Sequence, residues 1–218
     1  MNPSSKKAIQ GLYAITDPLL IADDSLYDMV SKAIDGGISV LQYRNKTASF
    51  DMQQQQAEML NRLCQQNQVI FIINDQIKLA KNVSADGVHL GKTDQNIQLA
   101  REQLGQQAII GLSCYNQIET ALEAQQQGVD YVAFGRFFPS KTKPQAVQAD
   151  PLLLIQAKQQ LTIPMVAIGG INLSNIKHLA ERGVDSVAIV NGIFAQHDIL
   201  GATRQLVQQF NFAKPLAI

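Results

Sequence analysis

Sulfur chemistry has little foothold in this sequence. Its 218 residues include two cysteines, Cys64 and Cys114, far apart and without CxxC spacing, which excludes a disulfide framework or a cysteine zinc site and points to a reducing compartment. Excess charge is also missing: 18 basic and 18 acidic residues cancel, so no general attraction to nucleic acid or to an anionic membrane is expected. No stretch approaches the run of about 18 apolar residues that a membrane helix requires, and the polar opening Met1 to Lys7 is not a secretory signal. These absences describe a cytoplasmic, soluble protein. No linker rich in Pro, Gly or Ser interrupts the chain, so a single domain over 11–210 is expected, with a polar N-terminal extension at 1–10 and a tail at 211–218. No GxGxxG follows the first apolar run, and neither HExxH nor a nucleophile elbow occurs. The glutamine runs at 53–56 and 125–127 are interleaved with apolar residues at helical spacing and are expected to be solvated helix faces.

Eight short apolar runs are present: 11–16, 38–43, 69–73, 86–90, 108–112, 130–135, 164–168 and 185–190. Each is apolar along most of its length, the mark of strands covered on both faces. Between them lie about eight segments of helical periodicity, for example Leu26, Met29, Val30, Ala33 and Ile34. Gly36, Gly105, Gly128 and Gly183 stand where a helix C-cap takes the left-handed conformation. Eight alternations in one domain favour an α/β fold of the closed (β/α)8 TIM-barrel type over an open doubly wound sheet.

Barrels of this kind carry their chemistry at the C-terminal strand ends. There the sequence sets Thr16 and Asp17; Gln42, Arg44 and Lys46; Asn74 and Asp75; His89, Lys92 and Asp94; Ser113 and Cys114; a loop from Gly135 to Pro144; Gly169-Gly170; and Asn191-Gly192. Alternation would point Gln42, Arg44 and Lys46 to one side of an extended strand, where a forked and a point cation suit a phosphate or diphosphate. A polar strand end making surface ion pairs is the other reading. Asp75 and Asp94 follow neighbouring strands and either converge on a hard cation such as Mg²⁺ or cap helices. The two glycine-containing turns after strands seven and eight either bare amides to a phosphate or simply turn the chain. Ser140, Thr142 and Lys143 stand between the two anion sites on a loop that is a candidate lid. His178 falls within the seventh helical segment and His197 near the start of the eighth, so neither is expected to be catalytic; His89 is expected to be packed and hydrogen-bonded, and Cys114 is a candidate ligand contact.

Taken together, Leu12 to Asp17, Gln42-Tyr43-Arg44-Asn45-Lys46, Ile73-Asn74-Asp75, Asp86 to Gly91 with Asp94, the Pro139 to Lys143 loop and Ala167-Ile168-Gly169-Gly170-Ile171 resemble the thiamine-phosphate synthase family over residues 11–210. The resemblance implies a barrel transferase that joins 4-amino-2-methyl-5-pyrimidinylmethyl diphosphate to a thiazole phosphate, with loss of diphosphate. It implies that Gln42, Arg44, Lys46, Asn74, Ser113 and Lys143 hold the pyrimidine diphosphate, that Asp75 and Asp94 hold one Mg²⁺, and that Ser140, Thr142, Gly169, Val190 and Asn191 surround the thiazole phosphate. Arg44, Lys46, Ser113 and Lys143 would then act on the leaving group. Ser140 stands where the family usually has threonine and Asn191 where it usually has serine. A thiazole tautomerase, a sugar-phosphate isomerase barrel and a non-catalytic precursor-binding barrel are the competing expectations; retention of Asn74, Asp75, Asp94 and Lys143 weighs against the first. Small-molecule substrates are the only partners implied, and the oligomeric state is left open.

Overall fold

The computed structural model describes residues 7–91, 96–139 and 147–213. Eight parallel strands close into a barrel in sequential order, β1 (Gly11–Ile15), β2 (Val40–Tyr43), β3 (Ile70–Asn74), β4 (Gly87–Leu90), β5 (Ile109–Tyr115), β6 (Tyr131–Phe134), β7 (Met165–Ile168) and β8 (Ser186–Ile189), and β8 pairs with β1. The expected (β/α)8 architecture is therefore the observed one. Around it run α1 (Leu26–Asp35), α2 (Phe50–Gln66), α3 (Ile77–Asn82), α4 (Ile97–Leu104), α5 (Ile118–Gln126), α6 (Leu152–Gln160), α7 (Ile176–Ala180), the short α8 (Asn191–Phe194) and α9 (Ile199–Ala213). Among the described residues that is one helix more than the sequence pattern suggests: a four-residue turn, α8, is too short to display a period. His178 lies in α7, and His197 lies in the turn before α9. No helix of the described residues is long and apolar enough to cross a membrane.

The continuous apolarity of the strands has a direct cause. Leu12, Leu41, Phe71, Ile73, Val88, Ile110, Val132, Phe134, Met165 and Val187 point outward and pack under the helices. Their neighbours in sequence, including Tyr13, Ile15, Val40, Ile70, Ile72, Ile109, Tyr131, Val166 and Ala188, fill the barrel interior with Ile9. Both faces of every strand thus leave water, each large aliphatic side chain contributing about 1.5–3 kcal/mol. Gly111 makes room in the interior: a Cβ there would sit 2.0 Å from the Tyr131 ring.

Two local expectations need correction. The left-handed residue after α1 is Gly37, at φ 99°, and not Gly36, whose φ is −75°. Gly36 is instead a packing glycine, since a Cβ would lie 2.5 Å from the Thr203 Cβ on α9. The glutamines at 53–56 are not a solvated face throughout: Gln53 and Gln56 are buried, one helical turn apart, while Gln55 is exposed. Gln56 Oε1 accepts from Tyr43 Oη at 2.6 Å and from Asn45 Nδ2 at 3.2 Å, and Gln53 Nε2 donates to the Asn45 carbonyl at 2.8 Å. Gln53 thereby satisfies the irregular backbone that follows β2, and Gln56 the side chains of Tyr43 and Asn45 beside it.

Candidate active site

A cavity of about 510 Å³ opens at the C-terminal end of the barrel, where Gln42, Arg44, Asn74, Ser113, Gly169, Val190 and Asn191 all reach its wall. Gln42, Asn74 and Ser113 are there because they continue the inward-pointing alternation of β2, β3 and β5. Arg44 lies just past the end of β2. Its backbone is pinned to the neighbouring strand end, its N–H donating to Thr16 Oγ1 at 2.8 Å and its carbonyl accepting from that hydroxyl at 3.2 Å.

Lys46 does not continue the line. Once β2 ends at Tyr43 the alternation no longer governs, and Lys46 instead turns toward β3, its Nζ 2.8 Å from Asp75 Oδ2. Asp75 also accepts from Asn74 Nδ2 at 2.6 Å, and its own N–H donates to the His89 carbonyl at 2.8 Å from a left-handed φ of 61°. It caps no helix: α3 begins at Ile77 with Gln76 at its N-cap. Gln76 Nε2 donates to Gln53 Oε1 at 2.6 Å, so the segments carrying Lys46 and Asp75 are braced by one buried amide.

On the opposite wall Gly169 and Gly170 adopt φ 106° and 66°. Their role includes close packing, because a Cβ on Gly169 would lie 2.2 Å from Arg136 Cβ and one on Gly170 would lie 2.3 Å from the Pro139 carbonyl oxygen. Val190 and Asn191 lead directly into α8 at the cavity edge. Asp94, Ser140, Thr142 and Lys143 lie outside the described residues.

The residue-level reading missed the cavity floor. Gln42 Nε2 donates to Tyr13 Oη at 2.7 Å, Tyr13 Oη is 2.9 Å from Tyr131 Oη, Tyr131 Oη is 2.9 Å from His89 Nδ1, and His89 Nε2 is 2.9 Å from Ser113 Oγ. Burial raises the pKa of both tyrosines well above the ordinary phenol value, so both hydroxyls keep their protons. The available signal was two tyrosines at inward positions of otherwise aliphatic strands. Cys114 is a correction in the other direction. The alternation that aims Ser113 inward aims Cys114 into the apolar layer under the helices, where burial pushes its thiol up to about 12.

A hard cation fits part of this arrangement. Mg²⁺ requires oxygen donors and commonly one or two carboxylates, with phosphate oxygens and water completing its shell. Asp75 supplies one fixed carboxylate, held by Lys46 and by the cavity-lining Asn74. Among the described residues no cluster of three or more His, Cys, Asp or Glu side chains forms a closed metal cage.

Comparison with known proteins resolves which barrel family this is. The sequence profile of the family described as thiamine monophosphate synthase matches residues 12–193. The chain belongs to that family. Among its relatives, the thiamine-phosphate synthase of Nitrosococcus oceani is 45% identical over 211 residues, covering 95% of this chain and 97% of the relative. That of Alcanivorax borkumensis is 47% identical over 201 residues, covering 91% and 93%. In three dimensions, the thiamine phosphate pyrophosphorylase of Pyrococcus furiosus superposes with a TM-score of 0.86 at 32% identity, covering 94% of this chain and 96% of that one. Membership of the thiamine monophosphate synthase family makes the chain an enzyme of the transferase class. More distant barrels share the fold alone, such as a geranylgeranylglyceryl phosphate synthase from Thermoplasma acidophilum at 15% identity and a TM-score of 0.66.

Proposed function

We propose that this chain is a thiamine-phosphate synthase whose cavity takes 4-amino-2-methyl-5-pyrimidinylmethyl diphosphate together with 4-methyl-5-(2-phosphoethyl)thiazole, or its carboxylated form, and releases thiamine monophosphate and diphosphate, with carbon dioxide as a third product from the carboxylated form. The observation that carries the reading is one cavity with a cation, amide and hydroxyl wall on one side (Arg44, Asn74, Ser113) and a glycine wall on the other (Gly169, Gly170). Two anionic substrates thereby meet with their reacting carbon and nitrogen between them.

The bond that breaks joins the methylene carbon to the diphosphate oxygen, and its electron pair leaves with diphosphate. The bond that forms uses the thiazole nitrogen lone pair, which leaves that nitrogen quaternary, so no proton is lost from the reacting atoms. Arg44, Lys46, Ser113 and Lys143 stabilise the departing charge, a contribution of the kind that costs about 10²–10³ in rate when one donor is removed. Gln42 and Asn74 orient the pyrimidine half. Ser140, Thr142, Gly169, Val190 and Asn191 hold the thiazole phosphate. Asp75 and Asp94 would hold Mg²⁺, which when bound supplies further neutralisation of the leaving diphosphate. Positioning provides the rest of the acceleration. A reaction without a deprotonation step agrees with His89 having both ring nitrogens engaged by Tyr131 and Ser113.

The test is an assay of purified protein with both substrates, with and without Mg²⁺, following thiamine monophosphate and diphosphate together. Equal, magnesium-dependent release of the two products is expected. Folded protein that binds either substrate yet forms neither product would overturn the reading.

A further inference from the structure

The row of contacts on the cavity floor, from Gln42 through Tyr13, Tyr131 and His89 to Ser113, has a property that its separate bonds do not. Each tyrosine hydroxyl has one proton to donate, and both remain protonated because burial disfavours the phenolate. Five groups from β2, β1, β6, β4 and β5 are therefore joined by four bonds that must share a direction. If Gln42 turns its Nε2 toward Tyr13, then Tyr13 donates to Tyr131, Tyr131 donates to His89 Nδ1, and His89 donates from Nε2 to Ser113. The Ser113 proton then points into the cavity. If Gln42 turns its Oε1 toward Tyr13, every bond reverses, His89 carries its proton on Nδ1, and Ser113 offers the cavity only lone pairs. Mixed arrangements set two donors or two acceptors against each other in a buried place, which costs more than the bond is worth.

We propose that Tyr13, Tyr131 and His89 are positioning residues that couple anion binding at Ser113 to the orientation of the Gln42 amide. An anion at Ser113 accepts hydrogen bonds and donates none, so it selects the direction in which Ser113 donates. That direction fixes Gln42 with Nε2 on Tyr13, and so decides which of its amide atoms meets a heterocycle in the cavity. Resting on the proposed function, the consequence is that the diphosphate end of the pyrimidine substrate sets the donor and acceptor pattern that reads its amino-substituted ring. Tyr13 and Tyr131 take no proton from substrate; they transmit a choice of direction.

Two measurements test the coupling. Nitrogen-15 spectra of histidine-labelled wild-type protein, with His89 assigned by its loss in His89→Gln, read the tautomer directly. With saturating inorganic pyrophosphate and Mg²⁺ the Nε2–H tautomer is expected; an Nδ1–H tautomer or an imidazolium in that state overturns the proposal. Tyr131→Phe keeps the ring and removes the central hydroxyl. It should weaken inorganic pyrophosphate binding by about tenfold, the scale of one hydrogen bond to a charged acceptor, and raise KM for the pyrimidine diphosphate by a like factor while leaving KM for the thiazole phosphate unchanged. Unchanged pyrophosphate affinity, or an equal rise in both KM values, would refute the relay. The tautomer reading needs no substitution and no turnover. An inactive enzyme with the expected tautomer counts against the functional reading alone, and an active one with the wrong tautomer counts against the relay alone.

Discussion

The two rims of the barrel solve the same problem of polar groups at strand ends by different means. At the N-terminal rim three aspartates, each one residue before its strand, accept from the backbone of the preceding strand: Asp86 from Phe71 N at 2.9 Å, Asp130 from Ile110 N at 2.8 Å and Asp185 from Met165 N at 2.8 Å. Each also meets a cation, namely Lys7, Arg101 and Lys158. At the C-terminal rim the carboxylate of Asp75 is met by side chains, those of Lys46 and Asn74, and the floor beneath is a row of side-chain bonds. A carboxylate tied to strand backbone belongs to the scaffold, whereas side chains tied to one another can exchange partners for a ligand. The proposed site lies on the rim where Asp75 is met by side chains and not by strand backbone, in line with where barrel enzymes place their chemistry.

The largest effect that would break this contrast is on the upper rim. Arg44→Ala should lower kcat/KM by about 10²–10³ and leave the unfolding free energy within about 0.5 kcal/mol of wild type, the usual range for a substitution away from the core. Steady-state kinetics and denaturant unfolding on the same preparation check both halves. A large stability loss with little kinetic change would make Arg44 part of the scaffold.

The converse holds on the lower rim. Asp130 accepts from Ile110 N and from Arg101 Nη2 at 2.7 Å, and Arg101 in turn donates to the carbonyls of Ala108 at 2.6 Å and Gly128 at 3.0 Å. Asp130→Ala strips the acceptor from a largely buried arginine and a strand N–H, and should cost about 3 kcal/mol of stability, while kcat of the folded fraction stays at the wild-type value. A kinetic defect without a stability defect would abolish the distinction between the rims.

How much of this was readable from the chain follows from where alternation applies. All eight strands were legible to within a few residues, because burial on both faces writes them as largely apolar runs. Alternation aimed Gln42 at a site, whereas Asn74 and Ser113 were read only from their place at C-terminal strand ends and from the family resemblance; all three reach one cavity because each continues a regular strand. Lys46 escaped it because β2 ends three residues earlier, and the ion pair with Asp75 is a tertiary event between two loops. Gln53 and Gln56 were unreadable for a different reason: a buried glutamine is permissible only against unpaired polar groups, and those belong to Tyr43, Asn45 and the segment after β2. The row of glutamine, tyrosine, histidine and serine joins five strands, so no local pattern holds it.

At neutral pH the smallest effect concerns Ser113 and Cys114, consecutive residues assigned to opposite sides of one strand. Ser113 reaches the cavity, while Cys114, like Cys64, is enclosed in the outer apolar layer, and burial pushes both thiols up to about 12. Below an unfolded-chain value of about 8.5 folded and unfolded protein both carry these protons, and the raised values contribute their full stabilisation. As pH rises from there toward about 12, the unfolded chain releases protons that the folded chain keeps, so stability falls through that window. The decline should approach about 1.4 kcal/mol per pH unit for each thiol. Urea unfolding across that range should therefore show a shallower decline for Cys64→Ala/Cys114→Ala than for wild type, with turnover near neutrality preserved. Identical slopes would mean that the thiols are solvated, and a turnover defect from the Cys114 change alone would turn that side chain toward the cavity, contradicting the alternation that places Ser113 there.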